Sequence, residues 1–125
     1  MAPVIIINFK TYKEATGQNS VRLAKMCEVT ARNSKGKARI IVAVQAADIF
    51  RVAGAVDAKV VDVFSQHIDT AQQGKFTGFI TAEAVKEAGA TGTLLNHAEH
   101  KLGNPGIIGN HIAAAKEHGV ITVVC

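Results

Sequence analysis

The sequence predicts an α/β fold built from parallel β-α units. Three observations carry this expectation. Short apolar runs recur along the 125 residues, at 4–7, 40–44, 60–64, 92–95 and 120–125, with helix-like stretches between them. The runs are apolar almost throughout and do not alternate with polar residues, which marks strands covered on both faces, as in parallel sheets. Each of the first four ends in polar side chains, the position where α/β proteins bind ligands. Strands alternating with helices imply right-handed crossovers. The result is four β-α units and a fifth strand in a single domain, residues 1–125.

The first strand, Val4-Ile5-Ile6-Ile7, is β-branched throughout and ends in Asn8-Phe9-Lys10. With a period of two, Asn8 and Lys10 share a face and Phe9 takes the other. Between Thr16 and Asn33, Val21, Ala24, Cys27 and Ala31 recur at helical steps. Asn19, Ser20 or Thr16 is a candidate cap for that helix, and Gly36 a candidate stop. The second strand, Arg39 to Val44, ends in Gln45. A short helix follows, with Ile49, Phe50, Val52 and Ala53 as its expected apolar face. The third strand, Val60 to Phe64, ends in Ser65-Gln66-His67. A polar loop from Asp69 to Gly78 comes next.

Thr81 is expected to cap a third helix whose Ala84, Val85 and Ala88 face inward, with Gly89 as its stop. The fourth strand runs from Gly92 to Leu95. Asn104-Pro105 reads as an N-cap followed by proline at the first helical position. Ile107, Ile108, Ile112 and Ala115 form the expected stripe of that fourth helix. His111 and His118 are expected to be solvated or capping. The fifth strand is Val120 to Cys125.

Composition excludes several classes. At 48% hydrophobic and 19% charged, the chain has enough apolar residues for a core. The net charge of +4 favours small anions as readily as nucleic acid. Without Trp, with one Tyr and with no dense Lys/Arg cluster, a nucleic-acid surface is poorly supported. No apolar stretch approaches the roughly 18 residues of a membrane span. Two cysteines, Cys27 and Cys125, make no disulfide framework, and reduced thiols in the cytoplasm are the economical reading.

The polar strand ends place Lys10, Gln45, Gln66 with His67, and Asn96 with His97 on one rim of a parallel sheet. A lysine there attracts an anion, and a histidine moves protons or polarises a carbonyl. The convergence points to a small anionic substrate such as a sugar phosphate. The competing reading is structural, with a buried ion pair at Lys10 and a hydrogen-bonded histidine at position 97. Paired metal-ligand spacing is absent, although His67, His97 and His100 are close enough along the rim to approach one another. No P-loop, G-x-G-x-x-G cradle or Ser-His-Asp pattern occurs.

On these residues the chain resembles the triosephosphate isomerase family, in its shorter archaeal form. Asn8-Phe9-Lys10 resembles the family's Asn-x-Lys motif after the first strand. Ser65-Gln66-His67 with Thr77-Gly78 resembles the third strand end and the interface loop after it. Asn96-His97-Ala98-Glu99 resembles the His-Ser-Glu motif after the fourth strand, and Cys125 the cysteine ending the fifth. The resemblance runs the full length in register. It implies a partial (β/α)8 barrel covering strands one to five. It also implies Lys10 as the group that holds substrate and stabilises enediolate charge, with Asn8 beside it. His97 would be the neutral electrophile, Glu99 the partner that orients Lys10, and Thr77 a contact across a subunit interface. No metal or cofactor is implied.

Departures accompany the resemblance. Ala98 stands where serine is usual, and His100-Lys101 where an arginine is usual nearby. Phe79 follows Thr77-Gly78 where a polar residue is common, and the lead into the fourth helix is rich in glycine. A full barrel takes about 250 residues and eight strands. The family's base, a glutamate after the sixth strand, its lid and its phosphate-binding amides are expected outside these 125 residues. The chain alone is therefore expected to be inactive and to act with a complementing C-terminal half or as a homo-oligomer. Alternatives are a self-associating half-barrel used for binding or assembly, and an independent doubly wound domain.

Overall fold

The computed structural model describes residues 2–125. Strands and helices alternate: β1 (Val4–Asn8), α1 (Gln18–Asn33), β2 (Arg39–Val44), α2 (Ile49–Ala53), β3 (Val61–Ser65), α3 (Ala82–Glu87), β4 (Gly92–Leu95), α4 (Pro105–Glu117) and β5 (Ile121–Val124). Short 3₁₀ turns, Lys13–Ala15 and Ala46–Asp48, lead towards α1 and α2. All five strands pair in parallel in the order β1-β2-β3-β4-β5. A doubly wound sheet would reverse direction at a switch point. This one never does, so it curls as a half-barrel.

The period-two geometry of the strands divides their apolar residues between two layers. Ile40, Val42 and Val44 of β2, Val61 and Val63 of β3 and Leu95 of β4 face outward, against Ala24 and Ala31 of α1, Val52 of α2, Val85 of α3 and Ala115 of α4. Ile41, Ala43, Phe64 and Leu94 face the concave side, joined by Ile6 and Val123. Phe64 and Gly92 are register partners on that side. The ring fills the space where a β-carbon of residue 92 would stand, only 2.3 Å from the Phe64 Cζ.

Loop chemistry sets how each helix starts. Thr81 Oγ1 accepts the Ala84 N–H at 3.1 Å, and Asn104 Oδ1 accepts the Ile107 N–H at 3.0 Å. The cap of α1 is Gly17, not Thr16, Asn19 or Ser20. The Gly17 N–H donates to Asp48 Oδ2 at 2.9 Å, a partner 31 residues away that local pattern cannot reveal. Asp48 is buried, and its other oxygen holds Arg51 Nε at 3.0 Å. Asp48→Ala leaves both donors without their acceptor. It is expected to cost about 1–3 kcal/mol, read as a lower urea midpoint with unchanged slope.

Three expected apolar faces are revised. Phe50 is 77% exposed, because α2 is five residues long and its inward face is Ile49 and Val52, with Ala53 half-buried beside them. In α3 the buried residues are Ala82 and Val85, while Ala84 is exposed. In α4, Ile107 and Ile112 lie at the surface, and His111 with Ala115 is buried. One helical position is a 100° rotation, so the α4 stripe runs through 108, 111 and 115. The expectation of a solvated His111 is thus overturned. Its Nδ1 donates to the Ile107 carbonyl at 2.8 Å, which satisfies the buried ring.

Gly89, between α3 and β4, has φ of +106°, and an added β-carbon would lie 2.7 Å from Ala53 Cβ. Only glycine meets both demands. The outermost strands keep apolar residues in solvent: Val4 and Ile5 are 53% and 48% exposed, Ile121 and Val124 54% and 45%.

Candidate active site

The C-terminal ends of β1, β3 and β4 deliver the polar side chains to one rim. Lys10, two residues beyond β1, has a left-handed backbone with φ of 55°, which is strained for a residue with a β-carbon. Two contacts hold it there. The Lys10 N–H donates to Asn8 Oδ1 at 2.9 Å, and Gln66 Nε2 donates to the Lys10 carbonyl at 2.8 Å. Gln66 Nε2 also lies 3.2 Å from Asn8 Oδ1 and 3.3 Å from the Ala43 carbonyl. One amide thus ties β1, β2 and β3 together beneath the lysine.

The loop after β4 is held in a similar way. Asn96, with φ of 57°, donates from Nδ2 to the Cys125 carbonyl at 2.9 Å and accepts the Leu102 N–H at 3.0 Å. A tight turn follows, closed by the His100 N–H on the His97 carbonyl at 2.7 Å. Within it the Glu99 N–H donates to His97 Nδ1 at 3.1 Å. Because Nδ1 accepts, the tautomer that satisfies this bond carries its one proton on Nε2.

Lys10, His97 and Glu99 meet. Lys10 Nζ is 3.1 Å from Glu99 Oε2 and 3.1 Å from His97 Nε2. Glu99 Oε2 is 3.6 Å from His97 Nδ1, a contact weaker than the backbone N–H that this nitrogen already accepts. An ammonium offers only donors, and Nε2–H is also a donor. In that tautomer both groups are donors on the cavity wall, where one ligand oxygen beside them can accept from each. Exposed at 68% on its side chain, Glu99 holds the lysine from the solvent side, whereas Lys10 and His97 are part-buried at 30% and 24%.

These groups line a cavity of about 360 Å³, with Asn8, Gln45 and Gln66 beside them. Glu99 is its only lining carboxylate among the described residues. Gln45 donates to Thr16 Oγ1 at 2.9 Å and so braces the loop after β1. A larger cavity, about 590 Å³, opens at the opposite end of the sheet, lined by Arg32, Arg39, Lys59 and Asp62. Its guanidinium groups are already paired, Arg39 with Asp62 and Arg32 with Glu28 and Asp57. Among the described residues it has no histidine in its lining.

His67 lies under the first cavity, 8% exposed, with Nε2 3.3 Å from Asp69 Oδ1. Its ring stacks on His100, centroids 3.9 Å apart, and lies 5.8 Å from His111. His67, His97 and His100 all line this cavity, and His111 joins the ring cluster from below. No group of three side chains with metal-holding geometry occurs among the described residues. Burial lowers the His67 pKa, the His100 charge lowers it further, and Asp69 opposes both. The folded protein thus holds this proton less tightly than the unfolded chain. Stability is full above the ordinary histidine value, about 6.5, and falls as pH drops through it towards the folded value. Urea midpoints are expected to be lower at pH 5.5 than at pH 7.5, and His67→Gln is expected to flatten that difference.

Thr77 does not join the rim cluster. It is exposed in the 69–80 loop, whose base is pinned by the Asp69 N–H on the Ile80 carbonyl and the Ile80 N–H on Asp69 Oδ2, each at 2.7 Å. Phe76 and Phe79, 46% and 56% exposed, meet edge to face beside it. Cys27 and Cys125 are both free, the first buried and the second exposed. No described helix is long and apolar enough to cross a membrane.

The triosephosphate isomerase family model matches residues 3–125. The chain belongs to the triosephosphate isomerase family. The isomerase of Methanococcoides burtonii is 43% identical over 125 residues, covering 100% of this chain and 54% of the relative. That of Methanobacterium bryantii is 46% identical over 123 residues, covering 98% and 52%. A crystal structure of triosephosphate isomerase from Bartonella henselae superposes with a TM-score of 0.85 at 23% identity, covering 100% of this chain and 51% of that one, which shows a shared fold. The chain corresponds to the N-terminal portion of the family's barrel and spans about half the length of the curated relatives it matches.

The roles of two rim residues escape sequence reasoning. Gln66 anchors the Lys10 backbone, and Asn96 staples the His97 loop to the end of β5. Both are visible as polar residues at strand ends, but their partners lie 56 and 29 residues away.

Proposed function

We propose that this chain supplies the electrophilic half of a triosephosphate isomerase site, interconverting dihydroxyacetone phosphate and glyceraldehyde 3-phosphate. The observation that carries the reading is the meeting of Lys10 Nζ with His97 Nε2 at 3.1 Å on the strand-end rim, with Glu99 Oε2 3.1 Å from the same ammonium. A substrate carbonyl oxygen beside them, bridging from the cavity, accepts from both. As the neighbouring carbon loses its proton, charge grows on that oxygen and both bonds strengthen. Glu99 keeps the ammonium in place, and Asn8 supports its backbone. Neutral His97 matches the handling of the carbonyl in this family.

The base that takes the carbon-bound proton is proposed to come from the rest of the barrel, since Glu99 is committed to Lys10. The exposed apolar residues of β1 and β5 favour coverage by such strands, in a complementing half or a second copy. Thr77, on its pinned loop, is proposed to meet a partner subunit, and the cytoplasm is the proposed compartment.

Mixing this chain with the C-terminal half of the M. bryantii relative tests the reading. Isomerisation is expected from the mixture, with His97→Ala lowering kcat/KM by about 10²- to 10³-fold. Turnover indifferent to His97 refutes the assignment. Full turnover by the chain alone removes the need for a complement. A stable dimer without isomerase activity under any complementation favours the assembly module instead.

A further inference from the structure

The stack of His67 on His100 joins two loops that hold the site. His67 follows Gln66, the amide that ties down Lys10. His100 follows Glu99 and closes the turn carrying His97. The imidazole centroids are 3.9 Å apart with planes inclined by 27°. Neutral rings stack well at that spacing. Two imidazolium ions there repel, in a setting where His67 is shielded from water.

The surrounding charges cannot absorb a second proton. Asp69, in the loop after β3, faces His67 Nε2 and offsets one positive charge. Its other oxygen is taken by the Ile80 N–H. Glu99, beside His100, is bound to Lys10. From α4, His111 presents a third titratable ring 5.8 Å from His67. Lys10 and His97 share the same cavity wall, and Lys101 continues the loop.

We propose that His100 is a positioning residue. Its neutral ring, stacked on His67, holds the 97–100 turn so that His97 and Glu99 face Lys10, and a second proton on the stacked pair releases the turn. Only the consequence for turnover rests on the isomerase reading; the release itself is a property of this chain. Loss of the turn separates the two donors and opens the Lys10–Glu99 pair, so the site disassembles on mild acidification.

Histidine ring resonances of the whole chain, followed by NMR from pH 8 to pH 5, test this. The contact between the His97 ring and the Lys10 side-chain protons is expected to vanish at the same midpoint as the titration of the stacked pair. His100→Phe keeps a flat ring and removes its charge. In that variant the loss of contact is expected to move down by about one pH unit or more. His100→Ala removes the stack and should weaken the contact at every pH. His100 is exposed, so neither substitution opens the core. If His100→Phe and the unaltered protein lose the contact at the same pH, the release belongs to His97 itself and the proposal is overturned. A contact retained to pH 5 in the unaltered protein also overturns it. These readouts do not use turnover, so a failed isomerase assay leaves them interpretable.

Discussion

Gly92→Ala is expected to destabilise the fold by about 3 kcal/mol, the upper end of the usual range for an added methyl group in a filled core. The new β-carbon would stand 2.3 Å from Phe64 Cζ and 2.6 Å from both Cε atoms. Ordinary carbon contacts need about 3.5–4.0 Å, so the ring must move by more than 1 Å. It has nowhere to go, because Phe64 is 2% exposed and packed with Ile41, Ala43 and Leu94 on the concave face. The register makes the conflict direct, since Phe64 and Gly92 are paired across β3 and β4. Urea unfolding checks the size of the effect. The double substitution Gly92→Ala with Phe64→Leu should recover part of the loss. A leucine lacks the ring atoms that clash, and the pair is coupled through one shared volume. Equal losses in the single and double variants would show that the clash is not the cause.

Lys10→Met is expected to lower kcat/KM of the complemented isomerase by about 10²- to 10³-fold, the size associated with removing one donor from developing negative charge. The substitution keeps an unbranched side chain, one atom shorter, and removes its charge. Stability should hardly change. The Lys10–Glu99 pair is partly solvent-exposed, and pairs of that kind contribute little after screening. The strained backbone at Lys10 is held by Asn8 and Gln66 through main-chain atoms, which methionine retains. An unchanged urea midpoint together with a large kinetic loss therefore identifies a functional cation. A fall in stability with little kinetic change would return Lys10 to a structural ion pair.

Much of the fold was legible before any coordinates. The near-continuous apolar runs marked doubly covered strands correctly for β2, β3 and β4 but not for β1 and β5, which keep apolar residues in solvent, and β2 and β4 begin and end where the pattern placed them. Thr81 and Asn104 act through their immediate neighbours, so their capping roles follow from local sequence. The Gly17 cap does not, because its acceptor Asp48 lies in another unit. The faces of α2 and α4 differ from the sequence expectation for another reason. Short or glycine-rich helices leave several apolar residues in solvent, and composition does not say which face meets the sheet. His111 shows this best, since a titratable side chain took the buried position that Ile112 was expected to hold.

The sequence by itself determined which side chains reach the rim, because a polar residue that ends a buried strand has its place set by the strand's period and direction. It also carried the family, through Asn8, Lys10, His97 and Glu99. Only the tertiary structure decided what those groups do to one another: the left-handed backbone of Lys10 beneath Gln66, the meeting of Lys10 Nζ with His97 Nε2, and the imidazole stack joining two loops. These depend on distances between residues 33 to 87 positions apart. Such distances follow from how far the sheet curls, a quantity that no single strand encodes.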